Sequence, residues 1–125
     1  MADTPDRADG AVVGAVGRLR AERAHTIEQI DHLTRVVAGI IAAASSENTD
    51  DEHDPEGQTI AFERAQASAL LREARERLAS IDRAVDRIDD DSYDRCERCG
   101  GPIGSERLEA LPATRTCIAC ASSRR

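Results

Sequence analysis

Two cysteine pairs near the C-terminus decide the fold: Cys96-Glu97-Arg98-Cys99 and, after seventeen further residues, Cys117-Ile118-Ala119-Cys120. They contain all four cysteines of the 125-residue chain. A tetrahedral Zn²⁺ ion takes four thiolates at about 2.3 Å, and two intervening residues let one turn bring both sulfurs of a pair to one metal. The spacing therefore predicts one Zn²⁺ ion bound by these four side chains.

The predicted zinc is structural, because four sulfurs close the coordination shell and leave no open position for water or substrate. The alternatives are two disulfides or four free thiols. No secretory segment is recognisable, which favours a reducing, cytoplasmic location over one that forms disulfides. The chain also lacks a nucleophile–base pair, a phosphate-binding loop and an open metal site, so we expect a protein that is not an enzyme.

Composition favours long, thin helices over a thick globular core. Aromatic residues make up 2% of the chain, and the apolar residues are largely Ala, Leu, Ile and Val. The formal net charge is −7, with all seventeen basic residues arginine. An acidic chain is poorly suited to neutralising phosphates, so we expect neither direct sequence-specific DNA binding nor binding to an anionic membrane.

Apolar residues recur at steps of three and four over residues 11–46 and again from about Pro55 or Thr59 to about Ile88. This period predicts two helices, each with one apolar stripe that it cannot bury alone. The expected fold is therefore all-α, with a long antiparallel coiled-coil hairpin over residues 11–90 and a flexible tail at 1–10. A polar loop at 47–58 forms its tip.

Residues 91–125 form the predicted zinc-finger module. Asp89 to Asp91 end the second helix, because aspartates oppose the dipole at a helix C-terminus and tolerate left-handed dihedrals. A short terminal helix is expected to carry the second cysteine pair. The predicted apolar core of the module is a set of four aliphatic side chains: Ile103, Leu108, Leu111 and Ile118.

The region between the cysteine pairs resembles the DksA/TraR C4-type zinc finger. That family's pattern has an acidic or Ser residue after the first Cys, then Ile, Arg and Pro at fixed offsets, which Glu97, Ile103, Arg107 and Pro112 match. The resemblance implies a bacterial transcription regulator that binds RNA polymerase and not promoter DNA. Its hairpin would enter the secondary channel of the polymerase, often acting together with the nucleotide ppGpp.

The resemblance also assigns a role to the acidic loop. From Glu47 to Glu56 there are six carboxylates and no basic residue. The family's tip motif resembles Asp-x-x-Asp-x-Ala, which Asp51 and Asp54 match, whereas Glu56 stands where the family has Ala. A second register would use Asp50. These four acidic residues are the predicted polymerase-binding tip, and an acidic prong suits a basic, metal-containing channel.

Three polar residues, Arg23, Thr26 and Arg64, interrupt the apolar stripes. They leave room for another helix to pack against the hairpin. The alternative function is therefore a zinc-stapled coiled-coil adaptor, a protein–protein interaction module with no role at the polymerase.

Overall fold

The computed structural model of the chain describes residues 4–46 and 55–123. Four helices follow one another: α1 (Thr4–Ser46), α2 (Pro55–Asp89), α3 (Ser105–Ala110) and α4 (Ile118–Ser122). The all-α fold class predicted from the sequence is confirmed. Two long helices precede a small four-cysteine module. The β-structure of the described residues is limited to one isolated antiparallel bridge between Arg95 and Pro102.

The boundaries of the long helices follow the local sequence closely at three of their four ends. α2 begins at Pro55, the earlier of the two predicted starts, because proline suits the first turn, where its missing N–H has no helical partner. Residues 55–58 of the predicted tip loop are therefore helical. α1 begins at Thr4, seven residues before the predicted start. The helix continues through Gly14 and Gly17, each of which lowers helix propensity by about 1 kcal/mol relative to Ala. The predicted tail, residues 1–10, therefore overlaps the first turns of α1.

A Schellman motif ends α2. The backbone N–H of Ser92 donates to the carbonyl of Arg87 at 2.9 Å, and that of Asp91 donates to Ile88 at 3.3 Å. Asp91 occupies the left-handed region with φ of 63°. This confirms the prediction that the aspartate run stops the helix, since a left-handed residue after the last turn lets its own N–H group and that of the next residue reach orphan carbonyls.

The chain divides into two compact units. One comprises Met1–Ala24 together with Ala79–Arg125 and is called the cysteine unit below; the other, His25–Leu78, is called the helical unit. The cysteine unit includes parts of α1 and α2 as well as the module, so this division does not fall at the predicted boundary near residue 90. Whether residues 91–125 form a separate domain stays a prediction.

The core of the cysteine unit draws on every segment of that unit. Apolar residues of α1 and α2 pack against the segment that carries the cysteines. They supply part of a core that the small module could not form from its own residues. The buried members are Ala15, Leu19, Ile81, Ala84, Tyr93, Cys96, Ile103 and Leu108.

The helical unit is a pair of antiparallel helix segments with a thin seam. Its buried residues, among those described, are Thr26, Ala67, Leu71 and Ala74. Arg77 of α2 donates to the Gln29 side chain of α1 at 3.2 Å, which ties the two segments together at the edge of the seam.

Two of the three predicted interruptions of the stripes are either paired or buried within their own unit. Arg23 donates to the Asp82 carboxylate at 2.7 Å, so it forms an ion pair between α1 and α2 in the cysteine unit. Thr26 is buried in the helical unit with 1% of its surface exposed. Arg64 instead lines a groove of about 420 Å³ in the helical unit, beside Ile40 and Ile60. None of the helices described here is both long enough and apolar enough to cross a membrane.

Candidate metal centre

The fold brings the four cysteines together. Their sulfur atoms all lie within 4.8 Å of one another, and they form the group among the described residues whose geometry could hold a metal ion. Cys96 is buried, Cys117 and Cys120 are half-buried, and Cys99 is exposed. The two pairs, separated by seventeen residues in the sequence, thus form one site.

The first cysteine pair lies in a tight turn closed by backbone hydrogen bonds. The N–H of Cys96 donates to the carbonyl of Gly101 at 2.8 Å, and that of Gly100 donates back to Cys96 at 3.0 Å. Gly100 has φ of 76°, which favours glycine. The N–H groups of Arg98 and Gly101 point at the sulfurs of Cys96 and Cys99, each at 3.4 Å. Both sulfurs therefore lie on the side of the turn to which these backbone N–H groups point.

The second pair uses the start of α4. Cys117 is the N-cap of this helix, and its sulfur accepts a hydrogen bond from the backbone N–H of Cys120 at 3.4 Å. The cap thus places the two sulfurs one helical turn apart on the same side. This confirms the predicted short terminal helix, except that Cys117 precedes its first residue.

Three hydrogen bonds hold together the segments of chain around the four cysteines. The N–H of Glu97 donates to the carbonyl of Arg115 at 2.9 Å. The Arg98 guanidinium donates to the carbonyl of Cys120 at 3.0 Å, and Arg107 donates through Nε to the carbonyl of Thr116 at 2.9 Å. The Arg98 and Arg107 side chains thus link backbone segments that no β-sheet holds together. Such outer contacts orient the ligands of a metal site.

Hydrogen bonds separate the proton affinities of the sulfurs. The backbone N–H of Cys99 and then that of Cys117 lower the pKa of the Cys96 thiol to about 6, against the opposing effect of burial. The backbone N–H of Cys120 lowers the pKa of Cys117. Hydrogen bonding to Cys117 and then to Cys96 raises the pKa of Cys120 to about 12. Four sulfurs so close together cannot all ionise unless a cation compensates their charge.

The geometry fits Zn²⁺. Four sulfurs at about 2.3 Å from one tetrahedral ion would lie about 3.8 Å from each other. The sulfurs of Cys99 and Cys117 are 3.8 Å apart. The N–H groups aimed at the sulfurs favour the thiolate form, which is the form that binds metal. The donor set, spacing and surroundings therefore all suit one tetrahedral ion.

The core beneath the cluster differs from the predicted one. Ile103 and Leu108 are buried as expected, but Leu111 is 50% exposed and Ile118 is 68% exposed. They line a groove of about 620 Å³ on the surface of the module. The prediction was wrong for these two because Tyr93, which precedes the first cysteine pair, and residues of the long helices complete the core. Tyr93 is 4% exposed, and its hydroxyl donates to the carbonyl of Pro112 at 2.6 Å.

The predicted tip residues Asp50, Asp51 and Asp54 lie outside the described residues. Glu56 lies in the first turn of α2, and its side chain is outside what the structure describes. Their proposed role stays a prediction.

Sequence reasoning missed one charged residue of the cysteine unit. Arg87 is 8% exposed and donates to the carbonyls of Ser92 and Arg95. Its position was a usable clue, because it follows the inward-facing Ala84 by three residues and so lies on the same side of α2.

Comparison with known proteins agrees with this site. Residues 91–125 match the family model described as a prokaryotic dksA/traR C4-type zinc finger. An uncharacterized protein of Aquifex aeolicus is 48% identical over 44 residues, which are 35% of this chain and 30% of that protein. A Caulobacter vibrioides protein named RNA polymerase-binding transcription factor DksA is 50% identical over 38 residues, 30% of this chain and 27% of the relative.

An Escherichia coli K12 relative of the same name is 37% identical over 46 residues, 37% of this chain and 30% of that protein. These matches thus span less than a third of each relative's length. The solved structure of transcription factor DksA2 from Pseudomonas aeruginosa is similar in fold, with a TM-score of 0.51 and 23% identity. That similarity covers 85% of this chain and 81% of the DksA2 chain.

Fold and site together define a helical protein that carries a C4 zinc finger with one structural zinc. More specifically, residues 91–125 are similar to the DksA/TraR-type C4 zinc finger.

Proposed function

We propose that this chain regulates bacterial transcription by binding RNA polymerase, and that it is a cytoplasmic binding protein and not an enzyme. The observation that carries the proposal is the four-cysteine cluster within residues 91–125, which match the DksA/TraR finger. Two relatives of this chain bear the name RNA polymerase-binding transcription factor. Cys96, Cys99, Cys117 and Cys120 would hold the zinc, which would stabilise the module and take no part in any reaction.

The finer proposal concerns how the polymerase is bound. The hairpin would enter the secondary channel, with Asp51 and Asp54 near the catalytic centre and Asp50 and Glu56 beside them. Carboxylates are attracted to a basic channel that holds Mg²⁺, and this attraction weakens as salt rises. Glu56, where the family motif has Ala, adds bulk and charge. We infer that it changes the effect on initiation more than the binding, and a role for ppGpp is a further part of the proposal.

A direct binding measurement tests the first step. Purified zinc-loaded protein should bind RNA polymerase at low ionic strength, and Cys99→Ser, which removes one zinc ligand, should bind at least about tenfold more weakly. If the zinc-loaded wild-type protein has no measurable affinity at low salt, the proposed function is wrong.

The tip is tested by regulation and not by affinity. Asp51→Asn with Asp54→Asn should leave polymerase affinity within about threefold but remove the effect on open-complex lifetime. A matched control, Glu73→Gln with Glu76→Gln, removes the same charge from exposed positions of α2. The control should regulate as the wild type does. If the tip variant also regulates normally, the tip has no part in the mechanism.

One observation favours the alternative, a coiled-coil adaptor. Arg64, Ile40 and Ile60 line a groove in the helical unit that a helix could occupy. The other two interruptions no longer argue for it, because Arg23 pairs with Asp82 and Thr26 is buried. Light scattering separates the two functions. A stable oligomer without polymerase affinity would favour the adaptor, whereas a monomer that binds polymerase would exclude it.

A further inference from the structure

Arg87 is the charged side chain that the described part of the fold buries, with 8% of its surface exposed. It lies in the last turn of α2, within the cysteine unit. Burying a guanidinium is costly unless it is paired and hydrogen-bonded. An aliphatic residue would fill a core position without that cost. The contacts of Arg87 should therefore explain why a positively charged side chain occupies this position.

One nitrogen of Arg87 holds the loop that leads to the metal centre. Nη2 donates to the carbonyl of Ser92 at 2.8 Å and also to the carbonyl of Arg95. The backbone N–H of Ser92 in turn donates to the carbonyl of Arg87 at 2.9 Å. Arg87 thus fixes both ends of the short segment between α2 and Cys96, where the backbone has no helix or sheet of its own.

The other nitrogen faces the first cysteine turn. Nη1 donates to no atom among the described residues and lies 3.9 Å from Oε1 of Glu97, within range of an ion pair but too far for a hydrogen bond. Oε2 of Glu97 lies 3.7 Å from the Arg115 guanidinium, and the Glu97 N–H donates to the Arg115 carbonyl at 2.9 Å. A chain of opposite charges therefore runs from α2 through the first cysteine turn to the arm before Cys117.

We propose that Arg87 is a positioning residue that couples the zinc centre to the end of α2. Zinc binding orders the cysteine turn that contains Glu97. Arg87 transmits that order to α2 through its ion pair with Glu97 and its bonds to the exit loop. A planar guanidinium is required because one group must face two carbonyls and a carboxylate at once, which an ammonium on a flexible stem does poorly.

Amide hydrogen exchange of the full chain, with and without zinc, tests the coupling. In the wild type, zinc should slow exchange in both the cysteine turn and the last turn of α2, by at least about tenfold at each. In Arg87→Met the cysteine turn should still respond, but the response of α2 should fall to about twofold or less. A residue with a merely structural role would change both responses together. Arg83→Met is the matched control, since Arg83 is exposed on the same helix, and it should respond as the wild type.

Two milder variants keep the test decisive if Arg87→Met does not fold. Arg87→Lys keeps the charge and Glu97→Gln removes the partner's charge at a residue that is 43% exposed. Both should bind one zinc, and the response of α2 should fall at least about threefold in each. If α2 responds as strongly in these variants as in the wild type, the proposal is overturned.

A second readout rests on the proposed function. If the wild type binds RNA polymerase, Arg87→Lys should bind several-fold more weakly at unchanged zinc content, because the finger and α2 would no longer be held in one arrangement. Unchanged affinity would contradict the proposal. Absence of wild-type binding would overturn the proposed function and would leave the exchange experiment as the test of the coupling.

Discussion

The cysteine unit and the helical unit differ in how many of their apolar side chains they bury. Both contain paired segments of α1 and α2. In the cysteine unit, residues from both helices and from the cysteine module share one core that includes Leu19 and Ile81, each at most 1% exposed. In the helical unit, the buried residues described are Thr26, Leu71 and two alanines. Two helices alone enclose little volume, and a third packed element is what creates a core.

The difference predicts where stability resides. A metal site and a shared core should make the cysteine unit the more cooperative part of the protein, while the seam of the helical unit depends on many half-buried contacts. Variants that act on one unit and spare the other should therefore differ in their effect on stability.

The largest effect is expected from loss of a metal ligand. Cys120→Ser should lower zinc content from about one per chain toward zero and unfold the cysteine module, since binding of structural zinc contributes on the order of 10 kcal/mol to folding. Metal analysis with circular dichroism measures both, and most helical signal should remain. Full zinc content in protein purified under reducing conditions would contradict the site.

Core truncation should have the next largest effect, and it should differ between the units. Ile81→Ala in the cysteine unit, at 1% exposure, should lower the free energy of unfolding by about 2–5 kcal/mol. Ile41→Ala in the helical unit, at 39% exposure, should cost less than about 1 kcal/mol. Denaturant titration measures both. Equal costs would remove the distinction between the units.

Tyr93 provides a smaller and pH-dependent effect. Tyr93→Phe removes the bond to the Pro112 carbonyl and should cost about 1 kcal/mol, because that acceptor then loses its buried donor. Burial raises the pKa of the Tyr93 hydroxyl above its ordinary value of 10.0. The folded state therefore holds this proton more tightly than the unfolded chain. The contribution of the protonated Tyr93 hydroxyl to stability is complete below pH 10.0 and is lost as pH rises through the raised pKa.

Tyr93 is the one tyrosine of the chain, so its ultraviolet absorbance reports this titration directly. Unfolding measured against pH should show the loss at high pH in the wild type but not in Tyr93→Phe. An ordinary pKa for the folded protein would contradict the burial of this side chain.

The smallest effect is expected at the ion pair between Arg23 and Asp82. Both side chains are about half exposed, at 46% and 48%. Asp82→Asn should cost less than about 1 kcal/mol, and the cost should shrink at high salt, because water and ions screen exposed pairs. Thermal unfolding at low and high ionic strength measures this. A cost above that of Ile81→Ala would show that this pair, and not the core, holds the two helices together.

Much of the fold follows from local sequence. The period of apolar residues predicted both long helices, Pro55 and the aspartate run predicted the ends of α2, and the spacing of the cysteines predicted one cluster. These features are local, so neighbouring residues suffice to specify them.

What the sequence could not specify depends on contacts between distant segments. Leu111 and Ile118 looked like core residues of the module, but Tyr93 and helix residues such as Leu19 fill that place instead. Arg87 looked like one more charged residue near a helix end, and its role depends on carbonyls that only the exit loop brings within reach. Periodicity reports which side of a helix is apolar but not what will cover it.

Zinc removal followed by amide exchange along the whole chain tests the contrast between the two units most directly. A chelator should speed exchange in residues 91–123 and in the core-lining turns of the cysteine unit by at least about tenfold, while exchange in the helical unit should change by less than about twofold. Exchange that accelerates equally in both units, or in neither, would contradict this contrast.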